Sequence, residues 1–146
     1  KYWTSAAAEY SKRISGYANI EIVELKESKL PSNPSEADEN SVLIREGQNI
    51  LSKIKESDHV IAMEVEGEQI DSVELAKKIQ GAFDTKSSTI DFVIGGSLGL
   101  SDEVKKRADY GLSFSKMTFP HQMARIMLLE QIYRAFKINS GETYHK

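Results

Sequence analysis

Residues suited to holding a small ligand are concentrated in three loops that follow short apolar runs. One loop follows residues 60–64, the second is the glycine-rich segment GGSLGL at 95–100, and the third is SFSKMTFPHQ at 113–122. The third loop combines apolar side chains with backbone donors, which suits a neutral purine and a thioether better than a pyrophosphate. The glycine spacing matches neither GxGxxG nor GxxxxGK, so a phosphate cradle is unsupported and a tight strand-to-helix turn is the alternative interpretation.

The last predicted helix carries an arginine within its apolar side. At about 100° per residue, Arg125 falls inside the arc formed by Ile126, Leu128, Leu129, Ile132, Tyr133, Ala135 and Phe136. A guanidinium at such a position either pairs with an acid or reaches into a site from the first turn of the helix. The opposite side mixes Met123 and Met127 with charged residues. This pattern is typical of a helix that meets a second subunit, so we expect a homodimer.

Several other chemistries are poorly supported. The three histidines, His59, His121 and His145, have no carboxylate or second histidine at helical ligand spacing, and the chain contains no cysteine, so we predict no metal site. No GxSxG motif is present, which disfavours a hydrolase of that type. The terminal GETYHK places Tyr144 and Lys146 at the chain end, where an unordered terminus is the general expectation.

The elements that must position these loops alternate between strand and helix. Apolar periodicity predicts helices at residues 2–15, 35–55 (or 40–55), 71–83, 101–108 and 122–138, and strands at 20–25, 60–65, 90–94 and 112–115. Gly67 is expected to end the second strand, and Asp71 and Glu74 have the spacing of a capping box. This order predicts an α/β fold with a mostly parallel sheet, helices on both faces and ligand sites at the carboxyl ends of the strands.

Length and charge narrow the class of protein. A chain of 146 residues fits a single domain, and no apolar run approaches the roughly 18 residues that cross a bilayer. Residues 1–100 carry 11 Lys+Arg against 17 Asp+Glu, whereas residues 101–146 carry 8 against 5. A basic final third suits a polyanionic partner. The candidate phosphate contacts are Lys105, Lys106, Arg107, Lys116, Arg125, Arg134 and Lys137, and a solvated helix surface is the alternative interpretation, which is favoured for residues 105–107.

Three motifs together resemble a known family. GGSLGL at 95–100, LSFSKMTFPHQMARIMLLEQIYRAFKI at 112–138 and the terminal YHK are similar to the bacterial ribosomal RNA large-subunit methyltransferase H family, of the SPOUT class. The resemblance extends over residues 1–146. It departs at Met63, where leucine is common, and at the front, because family members usually begin with an apolar strand and a Val-Gly-Lys turn that this chain lacks.

The resemblance implies a deep trefoil knot near the C-terminus, S-adenosylmethionine as methyl donor, a homodimer, and methylation of N3 of a pseudouridine in 23S rRNA on the assembled ribosome in the cytoplasm. The family's donor-binding residues fall on Met63, Gly95, Phe114, Ser115, Lys116, Met117, Thr118 and Phe119. The residues expected to approach the target nucleotide are Arg125, Tyr144, His145 and Lys146, with His145 a candidate proton acceptor. The residues alone leave two alternatives open: a noncatalytic nucleotide-binding module and a dimeric interaction protein.

Overall fold

The structure is a computed structural model that describes residues 1–85 and 87–145; Lys146, expected to approach the target nucleotide, lies outside the described residues. The helices and strands are α1 (Tyr2–Ile14), α2 (Glu36–Ser52), β1 (His59–Glu68), α3 (Ser72–Asp84), β2 (Ile90–Val93), α4 (Asp102–Arg107), β3 (Tyr110–Leu112) and α5 (His121–Asn139). The chain divides into two compact units. The helical unit comprises residues 1–22, 70–85 and 117–145, and the sheet unit comprises residues 23–69 and 87–116.

The sheet unit is built on a parallel sheet with strand order β2-β1-β3. The central strand is apolar along its first half, where Val60, Ile61 and Ala62 are completely buried, as is typical of a strand with neighbours on both sides and both faces covered. Val60 and Ala62 share a core with Leu100 and with Val104 of α4. The predicted α/β class and parallel sheet are confirmed, whereas the knot stays a prediction.

The helix boundaries follow from local side-chain chemistry. Ser35 begins α2 with a capping box closed by Asp38, and Asp71 begins α3 in the same way with Glu74, as the sequence predicted. Ser101 caps α4 by accepting a hydrogen bond from the Val104 amide. Each cap satisfies backbone donors that have no partner inside the helix, which sets where the helix starts.

The helical unit packs α1 and α3 against α5. The predicted apolar arc of α5 is confirmed at its centre, where the buried residues are Leu128, Leu129, Ile132 and Ala135. Ile14 of α1 and Ile79 of α3 are also buried almost completely. Within the described parts of the chain, no helix is both long enough and apolar enough to cross a membrane.

The predicted strand at residues 20–25 was wrong. The segment is extended but forms no sheet pairing with any described residue, and Ile22 and Val23 are 39% and 52% exposed. Alternating apolar and polar residues indicate that an extended chain would have one apolar and one polar face. They do not show that a partner strand is present. The last predicted strand was also misplaced, because β3 ends at Leu112 and residues 113–115 form the loop that follows.

Gly67 does not end β1, which corrects a second boundary. After Met63 the strand bulges, and Glu68 then returns to pair with Leu112 of β3. A Cβ atom on Gly67 would lie 2.7 Å from the carbonyl carbon of Gly111, so only glycine fits this close approach of two backbones. Glycine here permits strand pairing to resume rather than terminating it.

The side chain of Arg107 forms hydrogen bonds with backbone groups at the amino edge of the sheet. Its Nη2 donates to the carbonyl oxygens of Lys55, Glu56 and Asp58 at 2.9, 3.3 and 3.0 Å. Its Nη1 lies 3.4 Å from Oδ2 of Asp109. The guanidinium thus satisfies three backbone acceptors that lead into β1, and contact of Arg107 with RNA stays a prediction.

Replacing Arg107 with Met is expected to lower the free energy of unfolding by about 2–4 kcal/mol, because three carbonyl groups lose a charged donor. Urea unfolding followed by circular dichroism measures the change. The matched control is Lys106→Met, a removal of charge from an exposed neighbour on the same helix, for which we expect a change within about 0.5 kcal/mol. Equal stability of the two variants would contradict the assigned role.

Candidate active site

The carboxyl edge of the parallel sheet brings together the beginnings of all three candidate loops. Met63 pairs with Leu112, and Ala62 pairs with Val93. Gly95 follows two residues after Val93, and Phe114 follows two residues after Leu112. The register thus places Met63, Gly95 and Phe114 at one edge, where ligand sites of parallel sheets are found. Their role in binding stays a prediction.

The glycine-rich loop forms a tight turn, as one interpretation of its sequence held. The Gly99 amide donates to the Gly96 carbonyl oxygen at 3.0 Å, and Gly99 adopts a φ of +82°, which favours glycine. A Cβ atom on Gly95 would collide with the carbonyl group of Gly99. The absence of side chains at Gly95 and Gly99 therefore allows the turn and leaves backbone groups next to the carboxyl edge.

Two carboxylates beside this loop were not anticipated from the sequence. A Cβ atom on Gly96 would lie 2.9 Å from Oε1 of Glu27 and 3.6 Å from Oε1 of Glu46. Glu46 also accepts a hydrogen bond from the Ser28 amide at 3.0 Å, which ties the extended segment to α2. Negative charge at this position disfavours a phosphate group and suits a cationic ligand. Acidic residues are visible among positions 21–27 of the sequence. Their position far from the glycine-rich loop along the chain gave no indication that one of them lies beside it.

The third loop starts from a buried serine. The Ser113 amide donates to the Glu68 carbonyl at 2.9 Å, and its hydroxyl donates to the Ser115 carbonyl at 3.0 Å. Phe114 and Ser115 are half-buried within the sheet unit. Along the following residues Lys116, Met117 and Thr118 are exposed and Phe119 is half-buried. The middle of the loop thus presents side chains and backbone that are accessible in the single chain.

The C-terminal segment is fixed against α5 within the helical unit. The Tyr144 hydroxyl donates to Oε2 of Glu130 at 2.9 Å, and its ring meets that of Tyr133 edge-on with centroids 5.0 Å apart. Arg134 lies over the Tyr144 ring at 4.8 Å and binds the same Glu130 oxygen through Nη2 at 2.7 Å. Burial, followed by the contact with Glu130, raises the pKa of Tyr144, so its phenol remains a donor. We call Glu130, Tyr133 and Arg134 the tyrosine cradle.

His145 contacts the same arginine. Nη1 of Arg134 lies 3.1 Å from Nδ1 of His145, and because arginine is always a donor, Nδ1 must accept. With Nδ1 accepting, the ring proton lies on Nε2. A role for His145 as proton acceptor, expected from the sequence, stays a prediction.

Glu130 was not among the functional residues predicted from the sequence, and Arg134 contacts it within α5. Arg134 and Lys137 were candidate phosphate contacts, but Arg134 binds Glu130 and Lys137 binds Glu142 at 2.8 Å. The i, i+4 spacing of Glu130 and Arg134 was a visible signal, although it predicted only a helix-surface pair. Arg125 lies half-buried on the same helix. In the described part of the chain, no three His, Asp or Glu side chains converge as a metal-binding group.

The most strongly shifted carboxyl group lies at the opposite, amino edge of the sheet. Burial, followed by the neighbouring Asp58, raises the pKa of Asp91 to about 7, and hydrogen bonding with Asp91 lowers the pKa of Asp58. Asp91 is the partner of Val60 in the register between β2 and β1. A perturbed pKa often marks a functional site, but here it reflects burial of Asp91 at the amino edge of the sheet together with the nearby carboxyl group of Asp58.

Asp91→Asn is expected to flatten the dependence of stability on pH. The folded protein retains a proton on Asp91 that the unfolded chain releases, so the free energy of unfolding falls as pH rises from 3.8 to about 7. Asparagine keeps a donor for Asp58 and cannot ionise. Thermal unfolding at pH 5 and pH 8 measures this: the stability of the variant relative to the parent should rise with pH, and parallel curves would refute the assignment.

Comparisons with known proteins identify the family of this chain. Residues 1–145 match the family described as "Predicted SPOUT methyltransferase". Proteins named "Ribosomal RNA large subunit methyltransferase H" are 56% identical in Clostridium perfringens (strain 13 / Type A), 55% in Clostridium novyi (strain NT) and 52% in Clostridium botulinum (strain Alaska E43 / Type E3). Each comparison covers 100% of this chain and 92% of the relative. The chain therefore belongs to the SPOUT methyltransferase family.

Proposed function

We propose that this protein transfers a methyl group from S-adenosylmethionine to N3 of a pseudouridine in 23S ribosomal RNA. The observation that carries the proposal is the register of the sheet, which gathers Met63, Gly95 and Phe114 at one carboxyl edge. Relatives that are more than half identical over the whole chain are named for methylation of large-subunit ribosomal RNA. The proposed setting is the cytoplasm, where assembled ribosomes are found.

The residues at the carboxyl edge fit a donor of this kind. Apolar side chains and backbone donors of the third loop suit adenosine and a thioether, and the carboxylates of Glu27 and Glu46 favour a cation over a nucleotide phosphate. When bound, S-adenosylmethionine supplies a methyl group on a positively charged sulfur. We assign its binding to Met63, Gly95, Phe114, Ser115, Lys116, Met117, Thr118 and Phe119.

The protein's own contribution to the reaction is mainly alignment. Holding two reactants in register removes most of the entropic cost of their encounter, and N3 of the acceptor base must be present as the deprotonated imide. We assign Arg125, Tyr144, His145 and Lys146 to the acceptor side. In the tyrosine cradle, Tyr144 and His145 are held in fixed orientations on α5.

We expect RNA to be bound by lysine side chains that are exposed to solvent. Lys105 and Lys106 are exposed on α4, and Lys116 is exposed in the third loop. We expect binding to weaken as salt rises, since contacts to phosphate release counterions. The exposed methionines Met117 and Met123, at 71% and 38%, support the proposal that the protein acts as a homodimer.

Calorimetry separates the proposed enzyme from the two alternative classes. The enzyme is expected to bind S-adenosylmethionine and its demethylated product at one site, with no competition from ATP. A nucleotide-binding module would bind ATP in competition with the donor, and an interaction protein would bind neither. Heat of binding for ATP alone would overturn the assignment of the donor.

A further inference from the structure

Glu142 contacts residues at the C-terminal ends of α1 and α5, and it lies two residues before Tyr144. Its Oε2 lies 2.8 Å from Nζ of Lys137, and its Oε1 accepts from the Tyr17 hydroxyl at 2.6 Å. The Ser140 hydroxyl also donates to Oε1, at 2.9 Å. Tyr17 follows α1, whereas Lys137 belongs to α5. One carboxylate thus connects the C-terminal ends of two helices to the segment that leaves α5. We call Tyr17, Lys137 and Glu142 the tail clasp.

The electrostatics of the tail clasp keep Glu142 ionised. Lys137, then Tyr17 and Ser140, lower the pKa of Glu142 to about 2, and Glu142 in turn raises the pKa of Lys137. The Tyr17 ring stacks on Phe136 with centroids 5.6 Å apart, so the phenol is oriented by packing as well as by its hydrogen bond. Lys137 and Glu142 therefore both remain charged throughout the pH range of an enzyme assay.

The backbone around Glu142 determines the direction in which the chain turns back after α5. Gly141 adopts a φ of +72°, which reverses the chain after the helix, and the Glu142 amide donates to the Lys137 carbonyl at 3.0 Å. Two residues later Tyr144 reaches Glu130, about two and a half turns before the end of α5. The direction in which the chain returns is thus set at Glu142, where both its backbone and its side chain are held.

We propose that Glu142, bound by Lys137 and Tyr17, is a positioning residue that holds Tyr144 and His145 in the tyrosine cradle for methyl transfer. This inference rests on the proposed function. Glu142 acts through the segment that follows it and is not assigned any contact with donor or acceptor. Its contribution is the alignment of residues that do make such contacts.

The test compares Glu142→Ala and Tyr17→Phe with Glu9→Gln, which removes an exposed salt bridge to Arg13 on α1 and leaves the contacts of the tail clasp in place. We expect kcat for methyl transfer to ribosomes to fall about tenfold or more in Glu142→Ala, and less in Tyr17→Phe, with the Kd for S-adenosylmethionine unchanged. Nuclear Overhauser contacts between Tyr144 and Tyr133 should weaken in the same order. Glu9→Gln should behave as the parent.

Two further results decide the inference. The exchanged pair Lys137→Glu with Glu142→Lys should recover part of the lost kcat, because it restores an ion pair between positions 137 and 142. Transfer by Glu142→Ala and Tyr17→Phe equal to that of Glu9→Gln would overturn the inference while leaving the proposed function intact. A parent protein that binds donor but transfers no methyl group would overturn the proposed function itself. Tyr17→Phe removes one hydroxyl and keeps the stacked ring, so it remains informative if Glu142→Ala does not fold.

Discussion

Deleting Tyr144, His145 and Lys146 is expected to reduce methyl transfer to ribosomes by roughly a hundredfold, because the acceptor base loses the groups that align it. The Tyr144 hydroxyl and the His145 ring are both held on α5 by Glu130 and Arg134. The donor residues precede α5, so calorimetry should show unchanged affinity for S-adenosylmethionine. Single-turnover kinetics with labelled donor measures the transfer.

A smaller change provides the control for this deletion. Tyr144→Phe keeps the ring between Tyr133 and Arg134 and removes only the hydrogen bond to Glu130, so its effect should be well below that of the deletion. Full activity of the shortened chain would exclude any role of the C-terminal segment in the reaction. Loss of donor affinity together with activity would show that the segment instead supports the donor site.

Replacing Gly95 with Ala is expected to weaken binding of S-adenosylmethionine by about a hundredfold, because an added methyl group collides with the Gly99 carbonyl and must open the turn. The loop then no longer presents its backbone at the carboxyl edge of the sheet. Titration calorimetry gives the donor Kd, and thermal unfolding reports whether the sheet unit remains folded.

Gly81→Ala is the matched control for this substitution. Gly81 lies within α3, and a Cβ atom there meets nothing within 4 Å. Alanine should stabilise the helix by about 0.5–1 kcal/mol and leave donor affinity unchanged. Donor binding by Gly95→Ala as tight as that of Gly81→Ala would mean that the glycine turn is not part of the donor site.

Much of the fold was predictable because its signals are local. The capping pair Asp71 and Glu74, and the apolar run from Val60 to Ala62, each reflect chemistry within a few residues. The wrong strand at residues 20–25 shows the limit of that approach, because strand formation also requires a partner backbone. Gly67 shows the same limit. It lies inside β1 and packs closely against Gly111, a contact that the local sequence does not reveal.

The candidate site was predictable in part for a similar reason. The predicted order of strands and helices directs attention to three loops at one carboxyl edge, whereas the individual residues Met63, Gly95 and Phe114 are implied by the family resemblance. Contacts between residues far apart in sequence were not visible. Glu27 lies beside a loop that begins at Gly95, and Tyr17 binds a carboxylate 125 residues later. Such pairs depend on tertiary packing, which composition and periodicity do not encode.

The most direct test of the account is methyl transfer to ribosomes that lack the modification. Incubation with isotopically labelled S-adenosylmethionine, nuclease digestion of the 23S rRNA and mass spectrometry identify the modified nucleoside. We predict one labelled methyl group, on N3 of a pseudouridine, and none when ribosomes already carry it. Bound donor with no label in the RNA, or label on another base, would contradict the central claim.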